Sequence, residues 1–256
     1  MGNQEERLLF EKGEKNYLSK KALRKTSLAE NAPDDEESNL IHSMWRAQVA
    51  YSGESNIIYC ISFSGTHNLL CICTDAGSPS EKPSNEISMK DTVIKSAKIM
   101  QPEDRNRHNF MIFGGFLLKE SFELAFCCVA SFAHARPNFI SLDPSTFEHP
   151  VPVGSVLYLN AVVSYTEPEE RAGDGKFTRV QVRVDSSVRD VEHGMRRSTG
   201  RFNYTFLVEK DIRVMPESYD EFMAWTDARR RFVRAAAALG KKKPIALRTI
   251  RESVTE

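Results

Sequence analysis

The segment at residues 114–132 constrains this chain more than any other. Gly114-Gly115 opens it, and Phe116, Leu117, Leu118, Phe122, Leu124, Ala125, Phe126, Cys127, Cys128, Val129 and Phe132 follow. As a helix these side chains point in almost every direction, and a helix apolar all round has to be enclosed. The surrounding pattern is β. Residues 93–100 read as a strand, and strand-like runs recur at 138–143, 155–166, 177–185 and 201–208. The clearest alternates Val180, Val182 and Val184 with Arg179, Gln181 and Arg183, which predicts a half-buried antiparallel strand. Residues 167–175, with Pro168, Gly173 and Gly175, join two strands as a loop. One helix among antiparallel strands predicts an α+β class in which a curved sheet wraps the helix.

The flanks read as helical. Residues 1–30 are charged with scattered Leu and no apolar stripe, which predicts a solvated helix or linker. Asp34-x-x-Glu37 has the form of an N-cap with its capping partner. Behind it Leu40, Ile41, Met44 and Trp45 share a helical face and predict docking on a partner surface. A last helix is expected from residue 219 to about 239, ended by Gly240. Residues 228–251 carry nine Lys/Arg and no acid. With Phe232 as the one aromatic, Arg229-Arg230-Arg231 and Lys241-Lys242-Lys243 read as a solvated helix face and a loose terminus, without a nucleic-acid partner. The expected organisation is a helical linker-like segment at 1–50, an insert or loop at 51–87, the sheet-and-helix domain at 88–215, and a helix with a basic tail at 216–256.

Composition removes other classes. Fifteen Phe and two Trp in 256 residues supply a real core, so disordered and disulfide-scaffold readings fall away. Thirty-five basic residues balance thirty-five acidic ones, leaving no overall field that selects nucleic acid or an anionic membrane. Five cysteines without a CxxC pair suggest a reducing compartment. Glu5 and Glu6 argue against a secretory signal and against a mitochondrial presequence. Residues 55–74 lack charge but are diluted by Ser, Asn, His and Gly, a poor membrane span. Cys60, His67, Cys71 and Cys73 fit no ordinary zinc spacing, so no metal is expected. His134, His149 and His193 are isolated and read as structural.

Three features around the start of the apolar helix carry chemistry. Gly114-Gly115 stands where loop becomes helix, and first-turn N–H groups there can stabilise an oxyanion; the plainer reading is a tight turn. Glu123 is a carboxylate on an apolar segment. It is either a buried general base with a raised pKa or an exposed partner of Lys119 four residues earlier. Asp104-Arg105-Asn106-Arg107-His108-Asn109 supplies amides to orient water and two arginines for phosphates, or is simply a hydrophilic loop. Together the three equip a helix N-terminus for attack of water on an acyl carbonyl.

A family resemblance appears at these residues. Residues 101–109 followed by Ile112-Phe113-Gly114-Gly115-Phe116-Leu117 resemble the hotdog acyl-CoA thioesterases, in particular the second domain of the mitochondrial acyl-coenzyme A thioesterase 9 group. Phe122-Glu123-Leu124-Ala125, Arg136-Pro137, Gln181-Val182-Arg183-Val184 and Phe202-Asn203-Tyr204-Thr205-Phe206 continue the likeness, which covers about residues 88–221. Residues 10–45 resemble the linker between the two hotdogs of that group, which implies linker plus second domain with the first hotdog missing.

The resemblance implies hydrolysis of acyl-CoA to fatty acid and coenzyme A, with coenzyme A as part of the substrate and no separate cofactor. It implies a site between two hotdogs, in a homodimer or with another hotdog domain, and a mitochondrial location, with the cytoplasm as the alternative that the acidic N-terminus leaves open. Carried over by position, Asn109 places the water or the thioester carbonyl, Glu123 is the base, and the Gly115 N–H is the oxyanion donor. Arg107, His108, Gly114, Ser164 and Tyr165 are candidate coenzyme A contacts. Family members usually place the acid where Phe122 stands here, one residue before Glu123, and Phe110 is one residue extra before the glycines. Two rivals follow. One is a hotdog enoyl-CoA hydratase using Asp104, Asn106 and His108, whose expected Asp-x-Asn-Pro-x-His order is not met. The other is a catalytically silent hotdog that binds acyl-CoA or assembles.

Overall fold

The computed structural model describes residues 4–25, 28, 31–52, 57–60, 71–74, 82–107, 111–145, 147–169, 176–191 and 194–238. In chain order they contain helices α1 (Gln4–Lys25) and α2 (Asp35–Ser52), then strands β1 (Ile57–Cys60), β2 (Cys71–Thr74), β3 (Glu86–Ser88) and β4 (Ile94–Ile99). Helix α3 (Gly114–Ala133) follows, then strands β5 (Asn138–Leu142), β6 (Val156–Glu169), β7 (Phe177–Arg189), β8 (Arg196–Val208) and β9 (Arg213–Met215), and helix α4 (Tyr219–Ala238).

Five strands form one antiparallel sheet in the order β4-β6-β7-β8-β5, and α3 lies against β6, β7 and β8. This is the α+β hotdog arrangement expected from the pattern. Cross-strand partners share a face. Val180 with Phe206, Val182 with Tyr204 and Val184 with Phe202 therefore make one apolar surface, and all six are buried. Leu117, Ala125, Cys128, Val129 and Phe132 of α3 join them in a single core. At roughly 1.5–3 kcal/mol for each large apolar side chain fully buried, this contact is the main source of folding free energy.

The half-buried reading of β7 is corrected by the structure. Gln181 is 4% exposed, and the Arg179 and Arg183 side chains are largely covered. The reason is α4, which lies on the sheet face opposite α3. Tyr165 on that face meets Trp225 edge-on at 5.1 Å and Phe232 at 5.8 Å between ring centroids. Residues 161–167 of β6 are consequently buried without a break, and a strand covered on both faces loses its alternation. Charged groups in this layer are held by ion pairs. Arg179 donates Nε and Nη2 to Glu169 at 2.6 and 2.8 Å, and Arg183 Nε lies 3.0 Å from Asp185.

At the start of α2 the Glu37 N–H donates to Asp34 at 2.8 Å and the Asp34 N–H donates to Glu37 at 3.2 Å, the reciprocal capping box read from the sequence. Leu40 and Met44 are buried as expected. Trp45 is not: it is 48% exposed and stacks on His42 at 5.7 Å. Helix α1 leaves Leu8, Leu9 and Phe10 exposed, in keeping with a solvated helix.

The Glu37 carboxylate also holds α4. Arg230 donates Nε and Nη2 to it at 2.8 and 2.6 Å, and reaches the carbonyls of Asn31 and Ala32. Arg229 pairs with Glu36 at 2.8 Å, and Arg231 with Asp143 at 3.2 Å and with Asp227. The solvated-face reading of Arg229-Arg230-Arg231 is thus overturned, because acids from the start of α2 and the end of β5 come within ion-pair distance of the run. Residues 239–256, with Gly240 and the lysine run, lie outside the described residues. So does His67, while β1 and β2 pair antiparallel from Ile57↔Thr74 to Cys60↔Cys71. Among the described residues no group of His, Cys, Asp and Glu is arranged to hold a metal ion, and no helix is long and apolar enough to cross a membrane. Arg230→Met, which removes a charged fork from a nearly buried carboxylate, is expected to lower stability by about 2 kcal/mol. A reduced urea midpoint at unchanged slope checks it.

Candidate active site

After β4 the chain turns through Pro102–Asp104 and crosses back toward the sheet, with bridges from Arg105 to Ile112 and from Met111 to Pro152. The Phe113 N–H donates to the Asp104 carbonyl at 3.0 Å, which fixes the loop against the start of α3. Phe113 is the N-cap of α3 and has no side-chain oxygen to give the first turn. The Phe113 carbonyl accepts from Phe116 at 3.0 Å and Leu117 at 3.4 Å. A helix has no internal acceptor for the N–H groups of Gly114 and Gly115, and the helix dipole adds positive potential there. Aromatic rings crowd both glycines, Gly115 more tightly than Gly114. A Cβ on Gly115 would collide with the Phe113 ring, and one on Gly114 would come within 3.2 Å of Phe147.

In front of this turn lies a cleft of about 600 Å³. Arg105, Arg107 and Lys119 bring cations to it, Glu103 and Asp104 bring acids, and Phe113 and Phe116 form an apolar wall. Lys98 on β4 props the wall: its Nζ donates to Glu120 at 2.6 Å and sits 5.6 Å from the Phe116 ring centroid.

The sequence candidates separate into three groups. Gly115 and Arg107 line the cleft, while Gly114 packs beneath Phe147. Glu123 lies two turns beyond Gly115 on the exposed side of α3, with Oε1 3.7 Å from Lys119 Nζ. Of the two readings open for Glu123, the surface pair with Lys119 is the one observed. His108 and Asn109 lie outside the described residues. Ser164 and Tyr165 must be corrected as coenzyme A contacts, because both are fully buried. Ser164 Oγ donates to the Gln181 carbonyl at 3.2 Å. Tyr165 donates to Glu167 beneath Trp225, and burial pushes its hydroxyl well above the ordinary tyrosine range. The register shifts between Val163 and Tyr165, and Trp225 and Phe232 of α4 cover Tyr165.

No protein-family model matches the chain. It is 31% identical over 245 residues to the mitochondrial acyl-coenzyme A thioesterase 9 of Mus musculus, covering 94% of this chain and 48% of that protein. Over nearly its whole length the chain is similar to the mitochondrial acyl-coenzyme A thioesterases 9 and 10 of Mus musculus. It spans about half the length of the curated relatives it matches. Among solved structures, a mutant acyl-CoA hydrolase from Staphylococcus aureus is similar at a TM-score of 0.52 and 26% identity, over 60% of this chain and 92% of that one. A hexameric acyl-CoA thioesterase is similar at 0.50 and 21% identity, over 59% of this chain and 98% of that one.

The position of Glu123 on α3 has a physical reason. One residue turns a helical side chain by about 100°. Phe122 faces the sheet, packed edge-on against Phe139 at 5.4 Å and Tyr204 at 5.8 Å. Glu123 therefore leaves an aromatic cluster and falls on the exposed stripe of Gly115, Lys119 and Cys127. The acid that α3 does bury is Glu120, paired with Lys98. Its spacing from Leu117 and Leu124 puts it on the apolar side of the helix, a signal present in the sequence.

Cys127 and Cys128 differ sharply. Cys127 is exposed, whereas Cys128 is buried and donates to the Thr92 carbonyl at 3.2 Å. Burial, with Cys127 beside it, pushes the Cys128 thiol up to about 12. At pH 8 the native protein is expected to take one alkyl group on the peptide holding this pair, at Cys127, and a second only on unfolding. Tandem mass spectrometry of iodoacetamide-treated protein checks it.

Proposed function

We propose that this chain is an acyl-CoA thioesterase that hydrolyses acyl-CoA to a free acid and coenzyme A by direct attack of water. The carrying observation is the Gly114-Gly115 turn at the N-terminus of α3, opening on a cleft with Arg105, Arg107 and Lys119 at its edge. The Gly115 N–H stabilises the oxyanion that forms as water adds to the thioester carbonyl. Asn109 orients the water. Glu123 takes one proton from it, the C–S bond breaks, and the proton passes to the departing thiolate. Arg107, with Arg105 and His108 beside it, meets the phosphates. The scheme calls on no cofactor.

Geometry favours a site shared between two hotdogs. Gly115 and Glu123 are eight residues apart, about 12 Å along a helix axis. A single carbonyl and its water span far less, so one chain's donor and the same chain's base serve different thioesters. In an assembled pair, Gly115 and Asn109 of one hotdog meet Glu123 of the other. The pair is a homodimer or this hotdog with another hotdog domain, and the hexameric state of a structural neighbour fits such association. In this reading residues 88–215 form the hotdog, 1–50 a linker, 51–87 an insert and 216–256 a helix with a basic tail. The mitochondrial names of the relatives support action in that compartment.

The exposed pairing of Glu123 favours one second reading, a silent hotdog that holds acyl-CoA while another domain supplies the base. Thiol release from butyryl-, octanoyl- and palmitoyl-CoA separates the two. Wild type is expected to release coenzyme A, and Asn109→Ala and Glu123→Gln each to lower kcat by about 10²–10³-fold. Tight acyl-CoA binding without release would leave the silent reading standing. Hydration of an enoyl-CoA would replace both.

A further inference from the structure

Lys119 has two neighbours of different kinds. On one side it lines the cleft with Arg105 and Arg107. On the other its Nζ is 3.7 Å from Glu123 Oε1, four residues along the same exposed stripe. The Lys119 and Glu123 side chains are 63% and 55% exposed, and pairs of that kind are weak. Lysine is a compact charge on a flexible four-carbon stem, able to change partners at little cost.

We propose that Lys119 is an anion-operated switch on Glu123: a phosphate group seated in the cleft draws the ammonium away from the carboxylate and frees Glu123 to accept a proton from water. The inference rests on the thioesterase reading and deepens it. A phosphate brings up to two negative charges and three acceptor oxygens into a cleft already flanked by Arg105 and Arg107. Glu123 offers a single charge in open solvent. With the cleft empty, Lys119 returns to Glu123, and its positive charge 3.7 Å from Oε1 makes the carboxylate a weaker proton acceptor. The phosphates of the substrate thereby raise the rate as well as the affinity, and thioesters without them turn over on a site left partly switched off. Lys119 is a positioning residue in this scheme; it acts through Glu123 and touches no reacting atom.

The test uses the full chain, butyryl N-acetylcysteamine as a thioester lacking phosphate, and free ADP as the anion at constant ionic strength. ADP is expected to raise kcat roughly twofold in wild type, the fold-change that corresponds to an exposed i,i+4 pair. Lys119→Met is expected to start at the raised rate and gain nothing from ADP, a pattern that loss of folding would not produce. In 13C-glutamate-labelled protein, ADP should shift the Glu123 side-chain carboxyl resonance in wild type and leave it in place in Lys119→Met. An unmoved resonance in wild type, or the same shift in both proteins, overturns the switch. If wild type releases no thiol from butyryl-CoA either, the thioesterase reading fails on that result alone, and the carboxyl resonance still decides the switch.

Discussion

Everything else in this protein depends on the enclosure of α3. Its apolar surface is too wide for one face of a surface helix, and the chain meets this by laying the helix on Val180, Val182, Val184, Phe202, Tyr204 and Phe206. Once the axis is fixed there, the first turn emerges at one end of the sheet, where β4 has just ended and the 100–113 loop must cross. The cleft is a consequence of that crossing. Phe113 and Phe147 crowd the turn, so that a side chain at 115 would have to displace the Phe113 ring, and the bare backbone of Gly115 lines the cleft.

A second enclosure stabilises the first. The opposite face of the sheet carries Tyr165, Gln181, Arg179 and Arg183, a mixture that an exposed sheet would present to water. Here α4 covers it with Trp225 and Phe232, and the charges are retained by pairing within the layer. The capping box of α2 contributes to the same end. Glu37 closes its own helix and, with Glu36, anchors Arg229 and Arg230 of α4. Two segments some 190 residues apart in sequence are joined at one carboxylate. The helical flanks are in this sense part of the sheet's packing, although the hotdog proper supplies the cleft.

The candidate site was legible in part. Gly114-Gly115 and Arg107 were visible as a glycine turn beside a polar loop, and the structure brings both to one cleft. Ser164 and Tyr165 enter as coenzyme A contacts through the family resemblance alone, and nothing in the local sequence announces that both are buried, Tyr165 beneath α4. The sequence leaves Glu123 either buried or paired with Lys119. The choice depended on the helix's rotation against the sheet, which Phe122 sets by packing into the aromatic cluster with Phe139, Tyr204 and Phe206. Lys98 with Glu120 went unseen, since a pair formed across 22 residues leaves no periodic trace.

The sequence by itself determined the local choices: an apolar helix that must be wrapped, strands that alternate, a capping box at Asp34 and Glu37, and a glycine pair at the helix start. These depend on spacing within a few residues, and the 3.6 and 2.0 periods record them directly. The tertiary structure alone decided what covers the second face of the sheet, which carboxylate is buried, and whether three consecutive arginines meet solvent or acids. Those outcomes follow from distant elements competing for the same surface. Side-chain burial and charge pairing take their energies from neighbours in space, and one residue's step along α3 separates the aromatic cluster at Phe122 from the exposed stripe at Glu123.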